Sequence, residues 1–561
     1  MTKPRNRSLF LIVLLLLGAA GAALRTAGDA ERAGWRADLA DLEAHVSRAY
    51  ANLEWQVRRG RVDPRALHDS TVAALARART GRDARRALTA FAAAFHDGHF
   101  YLARPTPSAV TAVMRLWDRR GTPPAADWSA GRACRALGYS PDDRELGLPF
   151  DRLEGFTPVE GPADFPGGLV ALPNGARAGL VRISLFSSYA HGSACAEVWN
   201  RIRDTLALGC DDNCSMALDS LVDDIVLARL AERVRSLATA GARVLLVDLT
   251  GNGGGEDIVD PMARILTPVP LHASAKPVLR HPHATTQLEQ LRDGLAPDLA
   301  RTDLPAAERA MVETAALRLD SLIAQTRRPC DWSAIWRDGA AAAPCSMLVR
   351  GGLFSTGLLD YAAPGSLDEL QSKEVLFGPS RYAFQEGVWR GPVVVLVDRK
   401  TASAAEGFAA ILRDNGAAVV IGERTYGAGC GYTDGGIRHT LPHTGLDVRL
   451  PDCVRARADG TNEVEGVAPD VPIAWDGADD LERARRATAA LDGVRATILD
   501  PCRQPTPSEH CSPKPRNTAV EPLARRSISA RRAPISPAAT REAPCSTRPT
   551  PRSSSAARAA G

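Results

Sequence analysis

Gly391-Pro392-Val393-Val394-Val395-Leu396-Val397-Asp398 most constrains what this chain can fold into. A short run of β-branched residues opened by Gly-Pro reads as a buried strand. Five residues on, Ala404 to Asp414 places Phe408, Ile411 and Leu412 at helical spacing and stops at Asn415-Gly416, a favoured helix end. Strand then helix with a short link is the unit of a layered α/β fold. The link holds Ser403, at the helix N-terminus, where unpaired N–H groups and the positive end of the dipole can stabilise an oxyanion. Ser403-x-x-Glu406 is also a capping-box pattern, and on this segment alone the structural role is the better reading.

At 561 residues the chain has room for more than one domain, and 45% hydrophobic with 24% charged content is that of a globular protein. Lys3, Arg5 and Arg7 precede the apolar run Leu9 to Leu17, and Ala20-Gly21-Ala22 resembles a cleavage site, so residues 1–25 read as a secretory signal peptide. Left uncleaved, that run would serve as an N-terminal membrane anchor. The expectation is a periplasmic or extracellular protein.

Eleven cysteines fit an oxidising compartment. Cys210 with Cys214, Cys330 with Cys345, Cys430 with Cys453 and Cys502 with Cys511 are local candidates for pairing. No Cys-x-x-Cys occurs, which argues against a cysteine zinc site. The net charge of +4 conceals a basic tail: residues 513–561 carry an excess of +8, leaving −4 on the rest. The body therefore lacks the footprint of a nucleic-acid binder. The tail, 503–561, is rich in Pro, Ser, Ala and Arg without periodicity and is expected to be disordered.

Residues 30–104 are helical in pattern: Trp35, Leu39, Leu42, Val46, Tyr50 and Leu53 mark one apolar face, Asp63-Pro64 opens a second helix, and Asp83 is expected to cap a third carrying Leu88, Phe91 and Phe95. This predicts a small N-terminal helical domain ending at His96-Asp97-Gly98-His99. Residues 105–177 read as a linker or a divergent small domain. From 178 to 480 the pattern is α/β, with strands at 178–183 and 243–249, a helix over 215–240, and a Pro-, Ala- and Arg-rich insertion at about 257–390. After the 243–249 strand comes Gly251-Asn252-Gly253-Gly254-Gly255, permissive backbone for close approach, without dinucleotide or P-loop spacing.

Four features stand in order: Asp97-Gly98-His99; Asp248-Leu249-Thr250-Gly251-Asn252-Gly253-Gly254-Gly255; Thr401-Ala402-Ser403-Ala404-Ala405-Glu406 with Ile421-Gly422-Glu423-Arg424-Thr425-Tyr426-Gly427; and Glu463-Val464-Glu465-Gly466-Val467-Ala468-Pro469-Asp470. Together they resemble the C-terminal-processing, or tail-specific, serine peptidase family. The resemblance implies an α/β fold with a crotonase/Clp-protease-like ββα spiral core. Members with a serine–lysine dyad carry Gly-Lys-Gly where this chain has Gly427-Ala428-Gly429, and of its five lysines none is in that position. The chain instead resembles the tricorn-core-like branch. That implies Ser403 as nucleophile, His99 as base, Glu463 as the group orienting the imidazole, and an oxyanion hole from the N–H groups of Ala404 and Gly254. A histidine with an ordinary pKa of about 6.5 suits such a proton shuttle.

His439 and His443 are rival bases and Glu465 a rival for Glu463. His96 with His99 would be only half of a metal site, so neither metal nor organic cofactor is expected. A second departure from the family pattern is Thr250, where an arginine is usual. The reading is an exported peptidase acting on unfolded or tail-exposed polypeptides, with a catalytically silent module for apolar ligands as the alternative.

Overall fold

The computed structural model describes residues 28–104, 124–142, 145–173, 175–205 and 210–498, all within one compact unit, Met1–Pro505. The expected signal peptide, the 503–561 tail and the Cys502–Cys511 pair lie outside the described residues.

In chain order the described strands are β1 (Tyr101–Ala103), β2 (Phe156–Pro158), β3 (Gly167–Ala171), β4 (Arg177–Arg182), β5 (Val244–Asp248), β6 (Val278–Leu279), β7 (Leu348–Val349), β8 (Val393–Val397), β9 (Val419–Gly422), β10 (Arg438–Thr440), β11 (Asp447–Arg449) and β12 (Val471–Pro472). Seven form a central sheet in the order β12-β9-β8-β5-β4-β3-β2. It is parallel from β4 through β5, β8 and β9 to β12, while β2 and β3 pair antiparallel at one edge.

The valine-rich runs are strands because the sheet is covered on both faces, so neither side chain set meets water. Leu245, Val247, Val393, Val395 and Val397 face a core shared with Phe408, Leu412 and the 28-residue helix Asp212–Thr239. Leu246, Val394 and Leu396 face the other way, onto Leu148, Phe150, Trp475, Ala484 and Ala487. Period-two alternation thus splits one continuous apolar run between two cores.

The N-terminal face marked by Trp35, Leu39, Leu42, Val46, Tyr50 and Leu53 is buried as the periodicity implies. It does not close a core by itself. Trp332, Ile335 and Trp336 from the insertion and Leu441, Val448 and Leu450 from the catalytic part complete it. β1 pairs with β11, and β11 with β10, in a three-stranded sheet that ties the end of the helical region to the catalytic part. The insertion also holds helices Pro282–Gly294 and Ala306–Thr326 packed over a core of its own.

Three local cysteine pairs form disulfides, Cys210–Cys214, Cys330–Cys345 and Cys430–Cys453; a fourth, Cys134–Cys195, spans 61 residues. Among the described residues no helix is long and apolar enough to cross a membrane.

Candidate active site

β5 and β8 are neighbours, so the loops leaving their carboxyl ends meet, which is where open α/β sheets place their sites. Asp398 fastens the two loops: its Oδ1 accepts from the N–H groups of Lys400 (3.0 Å), Thr401 (2.9 Å) and Gly251 (3.0 Å). Thr401 Oγ1 donates to the Leu249 carbonyl at 2.9 Å, and Ala402 N–H to the Asn252 carbonyl at 2.9 Å.

Between these anchors Ser403 adopts φ 57° and ψ −118°. An N-cap residue ordinarily sits in the β region, so this backbone is not that of a simple cap. It is strained, at a cost of roughly 1–3 kcal/mol, as in the sharp strand-to-helix turn that exposes a nucleophilic serine. The next residue, Ala404, opens the helix Ala404–Asp414, and its N–H has no acceptor among the described residues.

Gly254 lies directly against this turn. At φ +105°, a Cβ there would stand 2.7 Å from both the Ala402 carbonyl oxygen and Ser403 Cβ and 2.8 Å from Ala404 N. Its own N–H, however, donates to Asn252 Oδ1 at 2.8 Å. The expectation that Gly254 N–H joins the oxyanion hole is therefore corrected: the glycine supplies close approach, and its hydrogen bond holds the loop.

Thr250 packs the loop without the usual arginine. Its N–H and hydroxyl both donate to Asp248 Oδ1, at 2.9 and 2.7 Å, while Arg182 from the adjacent β4 donates to the Asp248 carbonyl at 3.2 Å. Arg182 thus brings a guanidinium from the neighbouring strand to Asp248.

His99 is held from several sides. Asp97, 7% exposed, accepts from His99 N–H (3.0 Å), Tyr50 Oη–H (2.8 Å) and Asn52 Nδ2 (3.0 Å). Burial pushes the Asp97 carboxyl above its ordinary value, with these donors opposing the shift. His99 Nδ1 lies 2.6 Å from the Ala428 carbonyl oxygen. A carbonyl only accepts, which assigns the proton to Nδ1 and leaves the Nε2 lone pair to act. Tyr432 stands edge-on to the ring at 5.2 Å, and its hydroxyl donates to the His99 carbonyl. Close approach needs glycine on both flanks: a Cβ on Gly98 would be 2.3 Å from the Tyr426 ring, and one on Gly431 would be 3.1 Å from His99 Cε1.

Glu463 is fully buried, but His99 Nδ1 turns to Ala428 instead. Both Glu463 oxygens are engaged by Arg455, Nε to Oε2 and Nη2 to Oε1, each at 2.8 Å. Arg455 Nη2 also donates to the carbonyls of Ser403 (3.0 Å) and Gly429 (2.9 Å). The expected direct orienting role of Glu463 is thus corrected: it reaches the site through Arg455. Burial raises the Glu463 pKa, against the lowering pull of Arg455.

The rival groups are used elsewhere. His439 Nε2 is 2.5 Å from Asp41, and its ring stacks on His45 at 4.4 Å. His443 Nε2 is 3.2 Å from Glu31, and Glu465 accepts from Trp55 Nε1 at 2.9 Å. All three bind the N-terminal helices. His96 is exposed, and among the described residues no three His, Cys, Asp or Glu side chains cluster as metal ligands.

Sequence reasoning missed Arg455, the Ala428 carbonyl and most of what Glu406 does. The fully buried Glu406 accepts four donors: Ser403 N–H (2.9 Å) and Ala428 N–H (2.8 Å) on Oε2, Thr425 Oγ1–H (2.5 Å) and Gly427 N–H (2.7 Å) on Oε1. The only signal in the sequence was the capping-box spacing.

Residues 311–473 match the family model described as peptidase family S41, a span that includes Ser403, Glu406, Arg455 and Glu463. Over that span the chain is similar to peptidase family S41. It is accordingly a serine-type peptidase, a hydrolase. The chain is similar to the solved structure of mature CPAF complexed with lactacystin, at 16% identity and a TM-score of 0.49, covering 83% of this chain and 98% of that one. It is also similar to a putative peptidase from Parabacteroides merdae (14% identity, TM-score 0.41, covering 83% and 96%) and to the photosystem II D1 C-terminal processing protease (15%, 0.30, 80% and 96%).

Proposed function

We propose that this chain is an exported serine endopeptidase that hydrolyses peptide bonds in unfolded or tail-exposed polypeptides, with Ser403 as nucleophile and His99 as general base. The observation that carries the reading is the junction of two segments. A serine in strained backbone at a helix N-terminus is joined, through the Glu406 carboxylate and Ala428, to a histidine whose Nδ1 proton is already placed.

In this reading Ser403 Oγ attacks the substrate carbonyl while His99 Nε2 takes its proton. The tetrahedral oxyanion is stabilised by the Ala404 N–H and the positive end of helix Ala404–Asp414. The imidazolium then gives its proton to the leaving amine, and water hydrolyses the acyl-enzyme by the reverse use of the same base. The Ala428 carbonyl keeps the ring oriented throughout. Glu463, paired to Arg455, helps fix the Ser403 carbonyl. Four disulfides support an oxidising destination.

The test uses a fluorophosphonate probe and casein hydrolysis with wild type, Ser403→Ala and His99→Ala. Labelling and cleavage disappear in Ser403→Ala, and cleavage falls steeply in His99→Ala. Hydrolysis that survives Ser403→Ala overturns the reading.

A further inference from the structure

We propose that Glu406 is a positioning residue whose single carboxylate couples the nucleophile to the base, beyond its place as the third residue of the nucleophile helix. The inference rests on the assignment of Ser403 and His99 given above.

A capping-box glutamate reaches back to one N–H, that of the N-cap. Glu406 does this for Ser403 and then accepts three donors from another segment, Thr425, Gly427 and Ala428. That segment follows β9 and is no part of the helix that a capping box serves. It has a different task, since Ala428 presents the carbonyl that receives His99 Nδ1. Oε2 is the shared atom: it accepts from Ser403 on one side and from Ala428 on the other.

Ser403 is clamped at both of its peptide groups, N–H by Glu406 and carbonyl by Arg455, as a residue in strained backbone must be if it is to stay there. The relative placement of hydroxyl and imidazole therefore rests on Glu406, a side chain with no exposure to water, with Arg455 as the second bridge between the Ser403 and Gly429 carbonyls. The requirement is for two acceptor oxygens at that length. Gln offers one oxygen and turns an NH₂ toward two donors, and Asp keeps the charge but is one methylene too short to span both segments.

The experiment compares wild type, Glu406→Gln, Glu406→Asp and Ser403→Ala by urea unfolding, fluorophosphonate labelling rate, kcat and KM for a peptide substrate, and the pH–rate profile. Misplacing reacting groups by about 1 Å costs on the order of 100-fold. The expected result is a fall of about that size in kcat and in labelling rate for both Glu406 variants, with KM within about threefold and a displaced pH–rate profile. Glu406→Asp supplies the measurement if Glu406→Gln does not fold. A folded Glu406→Asp with wild-type kcat and pH profile overturns the proposal, as does a loss confined to unfolding stability. If Ser403→Ala still hydrolyses the peptide, it is the serine reading that has failed; if Ser403→Ala is dead while folded Glu406 variants are fully active, only the coupling role has failed.

Discussion

Replacing Gly254 with alanine puts the packing of the glycine loop against the nucleophile to a quantitative test. The new methyl meets three groups inside 3 Å, the Ala402 carbonyl oxygen and Ser403 Cβ at 2.7 Å and Ala404 N at 2.8 Å. Two of these are backbone and cannot swing aside, so either the 251–255 loop or the Ser403 turn must shift. The φ of +105° adds a second penalty. An L-residue held at positive φ costs roughly 1–2 kcal/mol, and an overpacked contact typically about 1–3 kcal/mol more. Together they predict destabilisation of about 2–5 kcal/mol, below the roughly 5–15 kcal/mol that holds a typical domain, so the variant folds. The urea midpoint should drop accordingly. Fluorophosphonate labelling of Ser403 should slow by on the order of 100-fold, because the shift falls on Ser403 and the Ala404 N–H. Gly253→Ala is the internal control, since nothing lies within 4 Å of a Cβ there and its φ is not positive. Its stability should stay within about 0.5 kcal/mol of wild type. Equal urea midpoints for the two variants, or wild-type labelling in Gly254→Ala, would refute the reasoning.

Removing the Cys430–Cys453 disulfide as the Cys430→Ser/Cys453→Ser pair frees the loop between Ala428 and Gly431 that cradles His99; a loss of about 3 kcal/mol by thermal unfolding, with a lower kcat, is expected. Arg455→Ala leaves the buried Glu463 without its bidentate partner, so a destabilisation of about 3–5 kcal/mol should appear in urea titration. Burial raises the Asp223 carboxyl from 3.8 to about 7, so its contribution to stability is fully present below pH 3.8 and is lost as pH rises through about 7. Asp223→Asn should therefore flatten the stability–pH curve between about pH 4 and 7, where the wild type declines, and a curve unchanged by the substitution would contradict the burial argument. His439→Ala should alter unfolding rather than kcat, because its ring is committed to Asp41 and His45.

Much of the frame was legible from residues close together in sequence. Val393–Val397 is a strand, Ala404–Asp414 a helix, and the Trp35 to Leu53 face is buried, because propensity, capping and period-two or 3.6-residue patterns act over a few residues. Three cysteine pairs separated by 4, 15 and 23 residues could be proposed for the same reason. The 61-residue Cys134–Cys195 bridge could not.

The site divides along the same line. Sequence by itself supplied a serine at a strand-to-helix junction, a glycine loop after another strand, and an Asp-Gly-His. Only the tertiary structure decided that His439 and His443 serve the N-terminal helices, that Glu463 pairs with Arg455, and that His99 turns to a carbonyl 329 residues away. A backbone carbonyl is the same group in every residue, so no side-chain pattern marks Ala428 as the acceptor. The four donors on Glu406 come from two stretches of chain, the turn after β8 and the segment after β9, that meet because those strands lie side by side. Local chemistry wrote the elements; the sheet order chose the partners.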